Sequence, residues 1–176
     1  MTDPLGELTA VVAPPPPPAS AFHQWDELAQ RLGVTPPADY RPLVETYGPG
    51  VFDDFLHVLQ PKSHFEAVRL VSFTTAYRER LRAQQASGRA LPHDPDELVP
   101  IARTEDADVI SWLVRPAGWT LVVNNASRTE WLAYDGGLTA FLADVFTRRL
   151  RMPFFPDDFP SAEPVFTPYP RALPQG

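Results

Sequence analysis

The chain has 176 residues, enough for one domain with its own core, and a hydrophobic content of 44% that is typical of a folded protein. It contains no cysteine, which excludes disulfides, zinc–thiolate sites and cysteine nucleophiles. The formal net charge is −7 and Lys62 is the only lysine. This balance disfavours direct nucleic-acid binding, which needs a clustered basic face, and favours a basic partner, although solubility alone also accounts for it.

Proline is concentrated at both ends of the chain, in the run Pro14–Pro18 and again between Pro153 and Pro174. This pattern predicts a Pro-rich N-terminal tether (1–19), an α+β domain (20–150) and a Pro- and aromatic-rich C-terminal extension (151–176). We expect both ends to be extended rather than packed as helices or sheets, with the C-terminal aromatic residues holding 151–176 against the domain surface. The polyproline run fits either a stiff tether or a ligand for an aromatic groove.

The N-terminal residues carry no basic side chain, and the apolar run Leu8–Ala13 is too short to cross a bilayer. These features predict neither a secretory signal nor a membrane span. Together with the missing cysteines, they lead us to expect a cytoplasmic protein.

Apolar residues spaced three and four apart predict two helices at the start of the domain. The first begins near a possible N-cap at Ser20, ends at Gly33 and has four apolar residues on one face: Phe22, Trp25, Leu28 and Leu32. The second ends at Gly48 and is marked by Tyr40, Leu43, Val44 and Tyr47. Pro42 is tolerated there only in the first turn, where its missing N–H has no intrahelical partner.

A buried strand follows at residues 55–59, and then a long helix over 63–86 that ends at Gly88. Four strands come next, at 98–102, 108–114, 119–124 and 130–134, and a last helix begins after Gly136-Gly137. The short loops between these strands imply antiparallel pairing. We therefore predict an α+β fold with a mixed, largely antiparallel sheet of five to six strands flanked by helices, which we place on one side of the sheet.

The order of short motifs in residues 25–150 resembles the SUKH superfamily, the Smi/Knr-type cell-wall assembly regulator family. The likeness is carried by Leu28-Ala29-Gln30-Arg31-Leu32-Gly33, Tyr47-Gly48-Pro49-Gly50-Val51-Phe52, Phe55-Leu56-His57-Val58-Leu59, Leu98-Val99-Pro100-Ile101-Ala102 and Asp108-Val109-Ile110-Ser111-Trp112. The resemblance implies a largely antiparallel sheet and no shared catalytic residues. For bacterial members it implies an immunity protein that neutralises a polymorphic toxin of nuclease or deaminase type. The Pro-rich ends depart from the family pattern.

Acidic and aromatic residues near the predicted turns are the candidate partner-binding set, because charge speeds encounter and buried aromatic anchors dominate interface affinity. For Trp112 and Trp131 the alternative is a place in the core. The candidate acids and aromatics are Tyr47, Phe52, Asp53, Asp54, Glu105, Asp106, Asp108, Trp112 and Trp131.

The leading hypothesis is therefore a non-catalytic protein that binds a basic toxin domain, with no cofactor and no metal. The alternative is an intracellular scaffold that offers Pro14–Pro18 to a groove. A third hypothesis is a metal-assisted hydrolase using His93, Asp94 and Asp96, although a solvated turn accounts for these three residues as well. His57 is interpreted as a satisfied or sheet-surface histidine.

Overall fold

The computed structural model describes residues 3–17 and 24–170. Within these residues the protein has an α+β fold with five α-helices and an open seven-stranded sheet, which confirms the predicted fold class. The helices are α1 (Pro4–Val11), α2 (Trp25–Leu32), α3 (Tyr40–Tyr47), α4 (Leu70–Ala86) and α5 (Leu138–Phe146). The strands are β1 (Gly50–Phe52), β2 (Leu56–Val58), β3 (Leu98–Thr104), β4 (Val109–Arg115), β5 (Gly118–Asn124), β6 (Trp131–Tyr134) and β7 (Phe166–Pro168).

The strands lie in the order β6-β5-β4-β3-β2-β1-β7, and every pairing between them is antiparallel. The sheet therefore has more strands than predicted, because β1 and β7 were not expected. Each has only three residues, and β7 lies in the proline-rich C-terminal segment. Pro168 is compatible with β7 because an edge strand has one unpaired side, where a missing N–H costs no ladder hydrogen bond.

Both faces of the sheet carry apolar side chains. In β4, Ile110 and Trp112 belong to the main core cluster, whereas Val109 and Leu113 belong to a second cluster. Since neighbouring residues of a strand point to opposite faces, the two clusters lie on opposite faces of the sheet. The second cluster also contains Tyr77 of α4, so the expectation of helices on one side only is wrong.

The N-terminal segment contains a packed helix, so the expectation of an extended N-terminal end is wrong for Pro4–Val11. Pro4 occupies the first helical turn, where its fixed φ angle favours a helix. Leu8 and Val12 are both fully buried, and α1 packs against α5. The Tyr47 hydroxyl also donates a hydrogen bond to the Val12 carbonyl at 2.7 Å.

The C-terminal extension lies against the domain, as predicted, but part of it is a strand rather than an unpaired segment. Met152 and Phe155 are buried in the main core cluster. β7 pairs with β1 in the register Gly50↔Pro168 to Phe52↔Phe166. The ring of Phe166 packs on Tyr47 and Phe52, with ring centroids 5.1 Å and 4.8 Å away.

The other predicted elements are confirmed with small shifts in their ends. Gly33 ends α2 in the left-handed conformation, and Pro42 lies in the first turn of α3. The long helix begins later than predicted, at Leu70, because Glu66–Val68 form a short 3-10 helix before it. The proposed N-cap Ser20 and the apolar Phe22 lie outside the described residues.

Candidate functional site

Four of the candidate acids lie on two neighbouring turns at one end of the sheet. Asp53 and Asp54 form the turn between β1 and β2, while Glu105 and Asp106 follow β3. Because β2 pairs with β3 through Leu56↔Thr104, the two turns are adjacent, and the Glu105 amide donates to the Phe55 carbonyl at 2.9 Å. We call the four residues Asp53, Asp54, Glu105 and Asp106 the acidic sheet end.

The acidic sheet end carries charge that no lysine or arginine pairs with in the described part of the chain. Asp54, Glu105 and Asp106 are exposed, and Asp53 is half-buried. The Asp53 carboxylate accepts hydrogen bonds from the Ser161 amide and hydroxyl at 2.6 and 2.7 Å. The acids thus keep their negative field, which extends about 8 Å into physiological salt.

The fifth acid, Asp108, is not part of this surface, because only 3% of it is exposed. Its carboxylate accepts hydrogen bonds from the Thr104 hydroxyl at 2.9 Å and from the Ala126 amide at 3.1 Å. Burial raises the pKa of Asp108. Its position indicates a structural role, in which it ties the turn after β3 to the turn after β5.

Three of the four candidate aromatic residues lie in the core. Tyr47, Phe52 and Trp112 are only 3%, 1% and 2% exposed, so a partner could not contact their rings. The core alternative for Trp112 is confirmed. The rings of Tyr47 and Phe52 pack against each other, with centroids 4.7 Å apart. Trp131 remains half-buried at the border of the second cluster. Of the predicted acidic and aromatic surface, four acids are therefore at the surface together, whereas three of the four aromatic residues are not accessible.

His57 lies between a phenol and a carboxylate, an arrangement that the sequence did not predict. One of its ring nitrogens, Nδ1, bonds to the Tyr169 hydroxyl, and the other, Nε2, bonds to the Glu105 carboxylate. A carboxylate can only accept, so Nε2 carries the proton and Nδ1 accepts from the phenol. The prediction of a satisfied histidine is confirmed. Its partner Tyr169 lies 112 residues away, beyond the reach of any local pattern.

A histidine between a carboxylate and a hydroxyl is also the arrangement of general-base catalysis. Here burial is the largest influence on His57 and lowers its pKa, and Arg103 acts in the same direction while Glu105 opposes both. Burial raises the pKa of Tyr169 to about 12, which keeps the phenol protonated at neutral pH. Both ring nitrogens of His57 are bonded, so the arrangement joins Tyr169 of the C-terminal segment to the sheet.

The residues of the metal-hydrolase hypothesis have other partners. Asp94 accepts a hydrogen bond from the Asp96 amide at 2.9 Å, and Asp96 pairs with Arg82. His93 lies 3.4 Å from Arg115 and packs against Trp131. In residues 3–17 and 24–170, no group of three or more His, Cys, Asp or Glu side chains is arranged to hold a metal ion.

None of the helices in the described ranges combines the length and the hydrophobicity that crossing a bilayer requires. Comparison of the chain with family models, curated proteins and solved structures finds no match in any of the three. The SUKH resemblance therefore rests on the order of the motifs alone.

Proposed function

We propose that the protein is a non-catalytic binding domain that uses its acidic sheet end to hold a basic protein partner. The observation that carries the proposal is the convergence of Asp53, Asp54, Glu105 and Asp106 on adjacent turns without an arginine or lysine partner in the described part of the chain. Unpaired charge of one sign steers a partner of the opposite sign and rejects partners of like sign.

Within this class we propose an immunity protein that neutralises a basic toxin domain, of nuclease or deaminase type, by covering its active surface. The SUKH-like order of motifs supports this choice, as does the antiparallel α+β fold that the resemblance implies. A nucleic-acid-processing toxin has a basic face for its substrate, and the acidic sheet end would compete for that face. Such an inhibitor needs no catalytic group of its own.

The test measures binding to candidate toxin domains, chosen from the products of neighbouring genes, and protection of cells that express such a domain together with this chain. The variant Asp54→Lys/Asp106→Lys reverses two exposed charges of the acidic sheet end. We expect it to slow association by about tenfold or more at low salt. The control Glu27→Lys/Glu79→Lys makes the same charge change at exposed helical positions outside the acidic sheet end and should leave association nearly unchanged.

Equal losses in the two variants would show that only net charge matters and would reject the acidic sheet end as the binding surface. No binding and no protection by the unmodified protein would reject the immunity function as a whole. Far-ultraviolet circular dichroism of each variant shows whether weaker binding comes from the changed surface charge or from loss of the fold.

The scaffold alternative keeps one observation in its favour, since Pro14, Pro16 and Pro17 are exposed. Deleting residues 1–19 does not test it cleanly, because the deletion also removes α1 and its buried Leu8. Replacing Pro16 and Pro17 by alanine leaves α1 in place. A scaffold would lose its partner in this variant, whereas an immunity protein would keep the toxin.

A further inference from the structure

A second surface feature lies beside β6, where two chain segments line an open, shallow groove of about 620 Å³. The segment after α4 contributes Arg89, Leu91 and Pro92, and the turn before β6 contributes Arg128 and Thr129, with Trp131 of β6 beside them. Small-molecule sites typically occupy roughly 300 to 1,000 Å³. The groove therefore has room for a ligand of the size of a nucleotide.

The groove is cationic although the protein is acidic, with 22 acidic against 15 basic residues. No aspartate or glutamate lines it. Within the described residues, neither Arg89 nor Arg128 forms a salt bridge, as is also true of six other arginines. Two guanidinium groups without a carboxylate partner favour an anion in this groove, because guanidinium binds phosphate and carboxylate oxygens in pairs.

The backbone holds Arg128 in an unusual conformation. Its φ angle of 59° lies in the left-handed region, which is rare for residues other than glycine, asparagine and aspartate. The Arg128 amide donates to the Asn125 carbonyl at 2.9 Å, and the Trp131 indole donates to the Arg128 carbonyl at 3.0 Å. Its Nε atom is bound to Gln84 at 2.9 Å, which leaves the terminal guanidinium nitrogens for another acceptor.

Trp131 supplies the apolar side of the groove. Its indole N–H is already bonded to Arg128, so the ring offers a ligand its face and edge rather than a donor. His93 packs edge-on to the same ring with centroids 5.4 Å apart, and Leu91 belongs to the same apolar cluster. A half-buried ring fixed in this way favours a planar partner, since aromatic rings gain energy by offset or edge contacts.

We propose that this groove binds a small anionic molecule with a planar ring, in which Arg89 and Arg128 hold a phosphate or carboxylate group and Trp131 contacts the ring. This site shares no residue with the acidic sheet end, although the register places both at the same end of the sheet, and it goes beyond the proposed partner binding. The competing explanation is that both arginines only stabilise the negative end of α4, near Gln84. That role predicts a loss of stability, and no binding, when an arginine is replaced.

Titration followed by two-dimensional ¹H–¹⁵N NMR tests the proposal, with the Trp131 indole resonance assigned from Trp131→Phe. The four probes are AMP, 2-naphthoate, inorganic phosphate and adenosine. We expect AMP or 2-naphthoate to shift the Trp131 resonance in a saturable way, and to bind about tenfold more tightly than phosphate or adenosine alone. Tighter binding of AMP would indicate that the groove prefers a phosphate group, and tighter binding of 2-naphthoate would indicate a carboxylate. No saturable shift with either, or equal binding of all four probes, would overturn the proposal.

The variants separate binding from stability. Arg89→Gln should lower the affinity for the preferred probe by about tenfold. The midpoint of urea unfolding should equal that of the unmodified protein within experimental error. Arg80→Gln is the matched control, because Arg80 is exposed on α4 and does not line the groove. Equal weakening in both variants, or unchanged affinity in Arg89→Gln, would contradict the assigned role of Arg89.

Discussion

The packing of α1 gives the sharpest test of the fold, because the sequence predicted no helix there. Leu8 is fully buried in the main core cluster, whereas Val11 of the same helix is 38% exposed. An isolated helix of eight residues is unstable in water, so α1 exists because it packs on the domain. Replacing Leu8 therefore probes that packing directly.

The expected effect of Leu8→Ala follows from the atoms removed. Three buried carbons at roughly 0.8 kcal/mol each account for about 2.4 kcal/mol of lost burial. Measured leucine-to-alanine losses in cores run from about 2 to 5 kcal/mol, the larger values including the cavity left behind. A terminal helix can undock locally and avoid that cavity, so we expect the free energy of unfolding to fall by about 2 to 3 kcal/mol. Alanine is the better helix former, so helix propensity does not account for such a loss.

Urea unfolding measures this loss as a shift of the midpoint by about 1 M, if the slope is near 2 kcal/mol per molar. Val11→Ala is the matched control and should cost less than about 0.5 kcal/mol, because its side chain is exposed. A loss below 0.5 kcal/mol in Leu8→Ala, or the same loss in both variants, would mean that α1 does not pack as described.

Two further predictions concern the C-terminal segment. Since burial lowers the pKa of His57 below 6.5, the unfolded chain binds more protons below that pH, and this stability is lost as the pH falls. His57→Gln should flatten the dependence of unfolding free energy on pH between about pH 7.5 and 5.5, and a slope equal to that of the unmodified protein would refute the assignment. A methyl group in Gly50→Ala would meet the Phe166 ring and the Thr167 carbonyl, weakening β7 pairing by about 1 to 3 kcal/mol. Amide hydrogen exchange of residues 166–168 detects this, and Gly6→Ala, which meets only the flexible Asp3 side chain, should leave it unchanged.

The elements that the sequence predicted are those with their own periodic pattern and end signals. α2 and α3 each combine an apolar face with a terminal glycine, and β3 to β5 are separated by short turns. Two of the missed elements, α1 and β7, depend on distant partners, whereas the missed β1 is a strand of only three residues beside β2. α1 forms against α5, and β7 pairs with β1 more than one hundred residues earlier, so no local pattern marks either one.

The candidate site was predicted in part for the same reason. Asp54, Glu105 and Asp106 lie within turns and stay exposed, whereas Asp108, where the chain enters β4, is buried. The pairing of β2 with β3 brings the two turns together. Whether the candidate aromatic side chains are exposed or buried depends on which faces of the sheet other elements cover. Apart from Ser111, residues 109–114 of β4 are all apolar, which is typical of a strand buried on both faces, and this signal would have placed Trp112 in the core.

The burial of these aromatic residues changes how the acidic sheet end can bind. Without Tyr47, Phe52 and Trp112, the surface lacks the rings that usually supply the largest share of affinity. Charge alone would give fast but strongly salt-dependent association. An exposed apolar residue beside the acids is Val165, which is 53% exposed and whose carbonyl accepts a hydrogen bond from the Asp53 amide at 2.6 Å. If the acidic sheet end binds a partner tightly, we therefore expect that partner to contact the C-terminal segment beside the acids as well.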